Sequence, residues 1–123
     1  MTSMIRVLIA DDSRVMRQIV IRTLRQAGYD WDVREASDGQ EALEAVRADE
    51  PDVVLSDWNM PNLTGIELLR RLRQEGFTTP FGFVTSEGSD EMRTLADEAG
   101  ALFLIAKPFT ADTFRDAIEP VLA

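Results

Sequence analysis

The sequence predicts a doubly wound α/β fold, in which five strands form one parallel sheet and five helices cover both of its faces. Short apolar runs alternate along the chain with longer segments whose apolar residues recur at helical spacing. Most of the runs are rich in β-branched residues and poor in polar ones, which is typical of strands buried on both faces. Because strands separated by crossover helices pair in parallel, the alternation predicts five successive β-α units.

Each strand is predicted from an apolar run that lies between turn residues. The first run, IRVLIA, is the longest, and the second is the weakest because charged residues interrupt it. Pro51 and Pro80 mark the turns that precede the third and fourth strands. In chain order, the predicted strands are residues 5–10, 31–35, 53–56, 81–84 and 102–106.

The helices are predicted from apolar stripes with glycine stops. In the first helix, Met16, Ile19, Val20 and Leu24 share one face, and Gly28 follows as a typical stop. The predicted helices are residues 13–27, 38–48, 64–75, 89–99 and 110–122. The expected N-caps, whose side-chain oxygens accept from free amides in the first turn, are Asp38, Ser89 and Thr110. Residues 1–123 are therefore expected to form a single domain.

Composition excludes several classes of function. The 123 residues include 13 Lys and Arg and 22 Asp and Glu, which gives a formal net charge of −9. Nucleic-acid binding is not expected, since affinity for phosphate backbones comes from clustered basic residues. Without Cys or His the chain has no disulfide, thiolate zinc site or histidine base. The longest apolar stretches are about six residues, against roughly twenty for a membrane span, so no membrane insertion and a cytoplasmic location are expected.

Polar side chains follow four of the predicted strands, where open α/β sheets bind their ligands. Asp11 and Asp12 come after the first strand, and Asp57 follows the third. Thr85 and Ser86 follow the fourth strand, and Lys107 follows the fifth. The first two acids can also be explained as part of a helix N-terminus. That explanation does not account for Asp57, so we predict a cluster of three carboxylates.

Three neighbouring carboxylates repel one another and need a cation. Hard oxygen ligands without His or Cys favour Mg²⁺ or Mn²⁺, and such ions also bind phosphate oxygens. A carboxylate beside the ion, best Asp57, can act as a nucleophile towards a phosphoryl group. Lys107, followed by Pro108 in a predicted tight turn, and the Thr85 hydroxyl supply the positioning groups that phosphoryl transfer requires.

With these motifs in place, the chain resembles the receiver domains of two-component response regulators, and among them the chemotaxis (CheY-like) type. The resemblance extends over essentially the whole chain. It rests on IADDS at 9–13, DWNMPNLTG at 57–65, VTSE at 84–87 and AKPF at 106–109. It implies a flavodoxin-like sheet with the strand order 2-1-3-4-5.

The resemblance also implies roles for individual residues. Asp57 would accept the phosphoryl group from a phosphohistidine on a sensor histidine kinase or from a small acyl phosphate. Asp12 and Asp57 would bind Mg²⁺ directly, Asp11 would bind it through water, and Asn59 would contribute its backbone carbonyl. Thr85 and Lys107 would sense the phosphoryl group, while the side chains of Asn59 and Glu87 would tune the lifetime of the acyl phosphate.

One residue departs from the pattern of the family. A rotating aromatic normally lies three residues before the lysine, and Leu104 occupies that position here. Phe103 is not expected to replace it, because neighbouring side chains on a strand point to opposite faces. The resemblance implies that an effector protein docks on the face formed by the fourth helix, fifth strand and fifth helix. A flagellar motor switch protein is the candidate effector if the pathway is chemotaxis.

Three other functions are considered. A receiver-like interaction scaffold that is never phosphorylated is compatible with Leu104 but leaves the acidic cluster unexplained. An aspartyl-phosphate phosphatase of the dehalogenase type would place a second Asp two residues after the nucleophile, where this chain has Asn59. Flavin or dinucleotide binding would need a glycine-rich phosphate loop after the first strand, and this chain has none there.

Gly65 and a group of three arginines are explained by local structure and solvation, without a role in the chemistry of the site. Gly65 is expected where the backbone approaches a neighbour closely or a helix begins, although an ordinary turn explains it equally well. Arg70, Arg71 and Arg73 are expected on a solvated helix face.

Overall fold

The computed structural model describes residues 4–122 and shows strands and helices in strict alternation. The strands are β1 (Arg6–Ala10), β2 (Asp32–Ala36), β3 (Val53–Ser56), β4 (Phe81–Thr85) and β5 (Phe103–Ala106). The helices are α1 (Arg14–Gln26), α2 (Gly39–Ala48), α3 (Gly65–Gln74), α4 (Asp90–Ala99) and α5 (Ala111–Leu122). None of the helices described is long and apolar enough to span a bilayer.

The five strands pair in parallel in the order β2-β1-β3-β4-β5, which confirms the predicted sheet and strand order. Ala10 at the end of β1 is the register partner of Ser56 at the end of β3. Thr85 at the end of β4 is the partner of Ala106 on β5. The segments that follow these strands therefore leave the sheet side by side at its carboxyl edge.

Helices cover both faces of the sheet and bury two separate apolar cores. Val7 and Ile9 of β1 pack on one face with residues of α1 and α5, among them Phe114. Leu8 points to the other face and packs with residues of α2, α3 and α4 such as Leu69. The alternation along β1 follows from the two-residue side-chain period of a strand, and it confirms the doubly wound arrangement.

Each helix begins directly after a capping residue, and the caps at α2, α4 and α5 are the ones that the sequence predicts. At α1 to α4, the side chain of the N-cap residue accepts a hydrogen bond from the backbone amide three residues later. These N-caps are Ser13, Asp38, Thr64 and Ser89. At α5, the Thr113 amide donates to Thr110 Oγ1 at 3.2 Å. The predicted ranges included these caps, so each observed helix begins one residue later than predicted.

Strand boundaries differ from the prediction by one residue at several ends. β2 was expected at 31–35 but runs from Asp32 to Ala36, because its register with β1 continues until Ala36 pairs with Ala10. β4 extends by one residue to Thr85, since Thr85 still pairs with β5. β1 and β5 each begin one residue later than predicted.

The expectation of a solvated arginine face on α3 is wrong for Arg73. This side chain is half-buried, and its guanidinium donates to the backbone carbonyls of Phe77 at 3.0 Å and Thr79 at 2.9 Å. It thereby connects the end of α3 to the segment that leads into β4. Arg70 and Arg71 are exposed, as predicted.

Candidate functional site

Three carboxylates meet at the carboxyl edge of the sheet. Asp11 and Asp12 follow β1 and Asp57 follows β3, and one oxygen from each lies within 4.8 Å of the others. The arrangement follows from the register of the two strands, because the Asp57 amide continues the ladder and donates to the Ala10 carbonyl at 2.8 Å. The sequence prediction of a carboxylate cluster is therefore matched by the geometry.

Asp11 is the most buried member of the cluster, with 4% of its surface exposed. Burial raises the pKa of its carboxyl group above the ordinary value, and the neighbouring Asp57 carboxylate raises it further. The Ser13 amide, which donates to Asp11 Oδ1 at 2.9 Å, and the Lys107 ammonium oppose this rise in pKa. A cation bound at the cluster would favour the ionised form in the same way.

The side chain of Asp57 is also largely covered, although less so than that of Asp11. Its Oδ1 atom accepts the backbone amide of Trp58 at 2.7 Å, which fixes the plane of the carboxylate. Its Oδ2 atom lies 3.4 Å from Lys107 Nζ. Asp12 is exposed to solvent at the mouth of the site. The cluster therefore has one carboxylate in a fixed orientation, Asp57, and one side that is open to solvent, at Asp12.

Lys107 places its positive charge against two of the acids. Its Nζ atom lies 3.3 Å from Asp11 Oδ2 and 3.4 Å from Asp57 Oδ2. The Lys107 amide donates to the Thr85 carbonyl at 2.8 Å, and the peptide bond to Pro108 is cis. The two Nζ distances show that the ammonium points inward, as the sequence predicts. Lys107 is the only lysine among the 123 residues.

Thr85 ends β4 and is fully buried. Its hydroxyl oxygen accepts the Glu87 amide at 3.3 Å, which holds the first turn of the β4–α4 loop, residues 86–89. The hydroxyl proton remains available as a donor, since a hydroxyl both donates and accepts. Strand pairing places Thr85 beside Ala106 of β5, the residue that precedes Lys107.

Asn59 and Glu87 meet across the mouth of the site. Asn59 Nδ2 donates to Glu87 Oε1 at 3.1 Å, which joins the β3–α3 loop to the β4–α4 loop. Both side chains are exposed. The resemblance implies one shared role for these two residues, and the structure brings them together as one polar bridge.

Leu104 and Phe103 point to opposite faces of the sheet, as strand alternation predicts. Leu104 is half-buried and packs against the core under α2 to α4, whereas Phe103 packs against the core under α1 and α5. Phe103 therefore lies on the wrong face to replace Leu104. Instead, Arg93 of α4 reaches this region, with hydrogen bonds to the carbonyls of Leu104 at 3.1 Å and Gly88 at 3.3 Å.

Two arginines near the site have no counterpart in the sequence prediction. Arg93 joins the β4–α4 loop to β5, and Arg17 of α1 donates from Nη1 to the Asp11 carbonyl at 2.7 Å. The sequence offers little signal for either residue, because α1 carries several arginines at similar positions. Arg17 and Arg93 differ from the other arginines only in the folded chain, where backbone carbonyl groups lie within their reach.

The donor set fits a hard divalent cation. Three carboxylates converge, and no His or Cys is available in the sequence. Oxygen donors of this kind suit Mg²⁺ or Mn²⁺, which favour carboxylates, carbonyls and water. The cluster can therefore hold a metal ion, with Lys107 balancing part of the negative charge at its inner side.

Comparison with known proteins agrees with this site. The family model of the response regulator receiver domain matches residues 7–119. The chemotaxis protein CheY-3 of Vibrio cholerae is 37% identical over 118 residues, covering 94% of this chain and 90% of that protein. CheY1 of Helicobacter pylori is 37% identical over 120 residues, covering 95% and 96% of the two chains.

The fold comparison gives the same result. The solved structure of the Vibrio cholerae chemotaxis protein CheY4 has a TM-score of 0.84 and 36% identity, and the match covers 97% of this chain and 99% of that one. The sheet order, the acidic cluster and these matches agree in one conclusion. The chain belongs to the response regulator receiver domain family and is a CheY-like member of it.

Proposed function

We propose that this receiver domain is a Mg²⁺-dependent switch that accepts a phosphoryl group on Asp57. The observation that carries the proposal is the convergence of Asp11, Asp12 and Asp57 within 4.8 Å, with Lys107 Nζ 3.4 Å from Asp57 Oδ2. A carboxylate held in such a cluster combines a nucleophile with the positive charges that phosphoryl transfer needs. The protein is a signalling switch and acts chemically only on its own aspartate.

In the proposed step, an Asp57 carboxylate oxygen forms a bond to phosphorus while the bond between phosphorus and the donor breaks. The donor is a phosphohistidine of a sensor kinase or a small acyl phosphate, and the electron pair of the broken bond leaves with the donor atom. The product is an acyl phosphate on Asp57. The Trp58 amide, bound to Asp57 Oδ1 at 2.7 Å, orients the carboxylate for this attack.

The residues proposed to hold Mg²⁺ are the carboxylates of Asp12 and Asp57 and the backbone carbonyl of Asn59, with Asp11 acting through water. When bound, the ion neutralises the acids and the charge that develops on the phosphoryl oxygens. Lys107 pairs with Asp11 and Asp57 at rest, so it is already in place to bind a phosphoryl oxygen afterwards. The buried Thr85 hydroxyl donates to another phosphoryl oxygen.

Phosphorylation adds nearly two negative charges to the acidic cluster. We propose that Thr85 and Lys107 adjust to this charge and that the β4–α4 loop carries the change to the surface. Support comes from the hydrogen bond between Thr85 and Glu87 and from Arg93, which joins Gly88 to Leu104. An effector protein then binds the face formed by α4, β5 and α5.

The bridge between Asn59 and Glu87 is proposed to control the lifetime of the acyl phosphate. Its position at the mouth of the site, with both side chains exposed, places polar groups where hydrolytic water must enter. Loss of the bridge changes the rate of hydrolysis and leaves the acceptor residue unchanged.

Chemotaxis is the proposed pathway, because the relatives with 37% identity are chemotaxis proteins by name. A sensor histidine kinase is the proposed phosphodonor, and a flagellar motor switch protein is the candidate effector. A cytoplasmic location is part of the same proposal. That residues 1–123 constitute one receiver domain remains a prediction from the sequence.

One alternative is favoured by a specific observation. Leu104 stands where the family has its rotating aromatic, which favours a scaffold that binds partners without phosphorylation. The two functions differ in one measurable property, the covalent modification of Asp57.

Intact mass spectrometry after incubation with acetyl phosphate tests the proposal. One added phosphoryl group is expected with Mg²⁺, and none is expected without Mg²⁺ or in Asp57→Asn. Asp30→Asn, which changes an exposed acid in the loop before β2, is the matched control and should behave like the unchanged protein. Absence of an adduct, together with absence of beryllofluoride binding, would favour the scaffold.

A further inference from the structure

Hydrogen bonds hold the backbone on both sides of Asp11. The Asp11 amide donates to the Ala36 carbonyl of β2 at 3.1 Å. The Asp11 carbonyl lies beyond the end of β1 and accepts the Arg17 guanidinium at 2.7 Å. This carbonyl belongs to the Asp11–Asp12 peptide group, so its position sets the direction in which both acids leave the backbone.

Arg17 is itself held in place by β2. Its Nε atom donates to Glu35 Oε1 at 2.9 Å, and its side chain is only 13% exposed. The same Glu35 oxygen accepts Gln18 Nε2 at 3.4 Å. A guanidinium has several donors in one rigid plane, so Arg17 can bind the Asp11 carbonyl and Glu35 at once.

From these contacts we infer that Arg17 is a positioning residue for cation binding, oriented by Glu35. It fixes the Asp11–Asp12 peptide, and through it the two carboxylates that stand opposite Asp57. Arg17 donates to a backbone oxygen and not to the carboxylates, so it acts on the positions of the Asp11 and Asp12 side chains. The inference rests on the proposed function, because it assumes that the cluster binds Mg²⁺.

The consequence is a loss of Mg²⁺ affinity when Arg17 is removed. Groups that orient metal ligands from outside typically contribute about 10-fold to 100-fold in affinity. We expect Arg17→Ala to raise the Mg²⁺ dissociation constant within this range. Arg17→Lys keeps the positive charge and a hydrogen-bond donor but lacks the rigid planar fork that reaches the Asp11 carbonyl and Glu35 at once, so it should recover part of the affinity. Glu35→Gln should cost less than Arg17→Ala.

Tryptophan fluorescence gives a direct readout of binding. Trp58 follows Asp57 in the chain and its ring packs on Phe83 with centroids 4.8 Å apart. Trp31, the only other tryptophan, is replaced in every variant by Trp31→Phe. Arg22→Ala is the matched control, because Arg22 is an exposed arginine on the same helix. Circular dichroism verifies that each variant is folded.

A second readout separates positioning from general damage. If Arg17 acts on the cation site, the rate of phosphorylation by acetyl phosphate falls in Arg17→Ala at low Mg²⁺ and returns towards the normal rate at saturating Mg²⁺. A rate that stays low at saturation, or a dissociation constant within two-fold (~0.4 kcal/mol) of the Arg22→Ala value, would overturn the inference. If the parent protein binds no Mg²⁺, the proposed function itself fails.

Discussion

The ring of Phe103 on β5 occupies the space where a side chain of Gly82 on β4 would begin. The two residues are register partners, and a Cβ atom added to Gly82 would lie 2.1 Å from Phe103 Cε1. The absence of a side chain at position 82 is therefore what lets the Phe103 ring occupy this space. This relationship gives a prediction about stability.

We expect Gly82→Ala to lower the free energy of unfolding by about 1–3 kcal/mol, the usual range for overpacking a core. Phe103→Leu in the same chain should recover part of the loss, because the smaller side chain vacates the space. Urea unfolding of the two single variants and the double variant measures the coupling. Strict additivity of the two changes in unfolding free energy would contradict the contact.

A second prediction concerns Gly65 at the start of α3. A Cβ atom there would lie 2.1 Å from the Asp57 carbonyl oxygen, which belongs to the backbone and cannot turn away. Gly65→Ala should therefore displace the segment that carries Asp57. We expect slower phosphorylation together with a loss of stability of roughly 1–3 kcal/mol.

Gly76→Ala is the control for this variant. Gly76 has φ of +90° with open space around its α-carbon, so alanine there meets only the backbone penalty, about 1 kcal/mol. It should lose stability but phosphorylate at the normal rate. Equal phosphorylation rates in the two glycine variants would show that the Asp57 segment tolerates the displacement.

The raised pKa of Asp11 predicts how stability depends on pH without Mg²⁺. Burial makes the folded state hold this proton more tightly than the unfolded state does, so unfolding free energy falls as pH rises through the raised pKa. Asp11→Asn has no titrating carboxyl group at this position, so it should lack this part of the pH dependence of the unfolding free energy. In Mg²⁺-free buffer at neutral pH, we therefore expect Asp11→Asn to be more stable than the unchanged protein.

Mg²⁺ should reverse this order, because a ligand that binds only the folded state stabilises it, and stabilises it more the tighter it binds. Millimolar Mg²⁺ is expected to raise the melting temperature of the unchanged protein more than that of Asp11→Asn. Thermal unfolding with and without Mg²⁺, over a series of pH values, measures both effects. The same Mg²⁺ response in both proteins would count against a role for Asp11 in cation binding.

A fourth prediction concerns Arg93 and the β4–α4 loop. Its guanidinium joins the carbonyls of Gly88 and Leu104, so Arg93→Ala should release the loop from β5. Because Arg93 is exposed, we expect a global loss of stability of only about 0.5–1 kcal/mol. Hydrogen exchange of the amides at 86–89 should become faster. Arg25→Ala, another exposed arginine variant, should leave that exchange unchanged.

The helices and strands were predictable because they depend on short-range rules, whereas the strand order that makes β1 and β3 neighbours was expected only from the family resemblance. Apolar runs and capping residues set the elements, and parallel pairing brings the ends of neighbouring strands together. Asp11 and Asp57 therefore had to meet once Ala10 and Ser56 became register partners. The one-residue differences at β2 and β4 arise because strand pairing continues to Ala36 and Thr85, one residue beyond the predicted end of each strand.

The contacts of the long side chains were not predictable in the same way. Arg17, Arg73 and Arg93 each donate to backbone carbonyls whose positions are set by tertiary packing. An arginine has four rotatable bonds, so spacing along a helix does not say which carbonyl it reaches. The role of Gly65 was left open for a similar reason, since only the folded chain brings the Asp57 carbonyl against it.

The single lysine gives the site a chemical label of its own. Apart from the chain terminus, Lys107 carries the only amine, and its side chain is 15% exposed. Reductive methylation with isotope-labelled formaldehyde would install one pair of NMR-visible methyl groups beside Asp57 and keep the positive charge. The resonance of these methyl groups would report the arrival of a cation or a phosphoryl group directly, without any substitution in the protein.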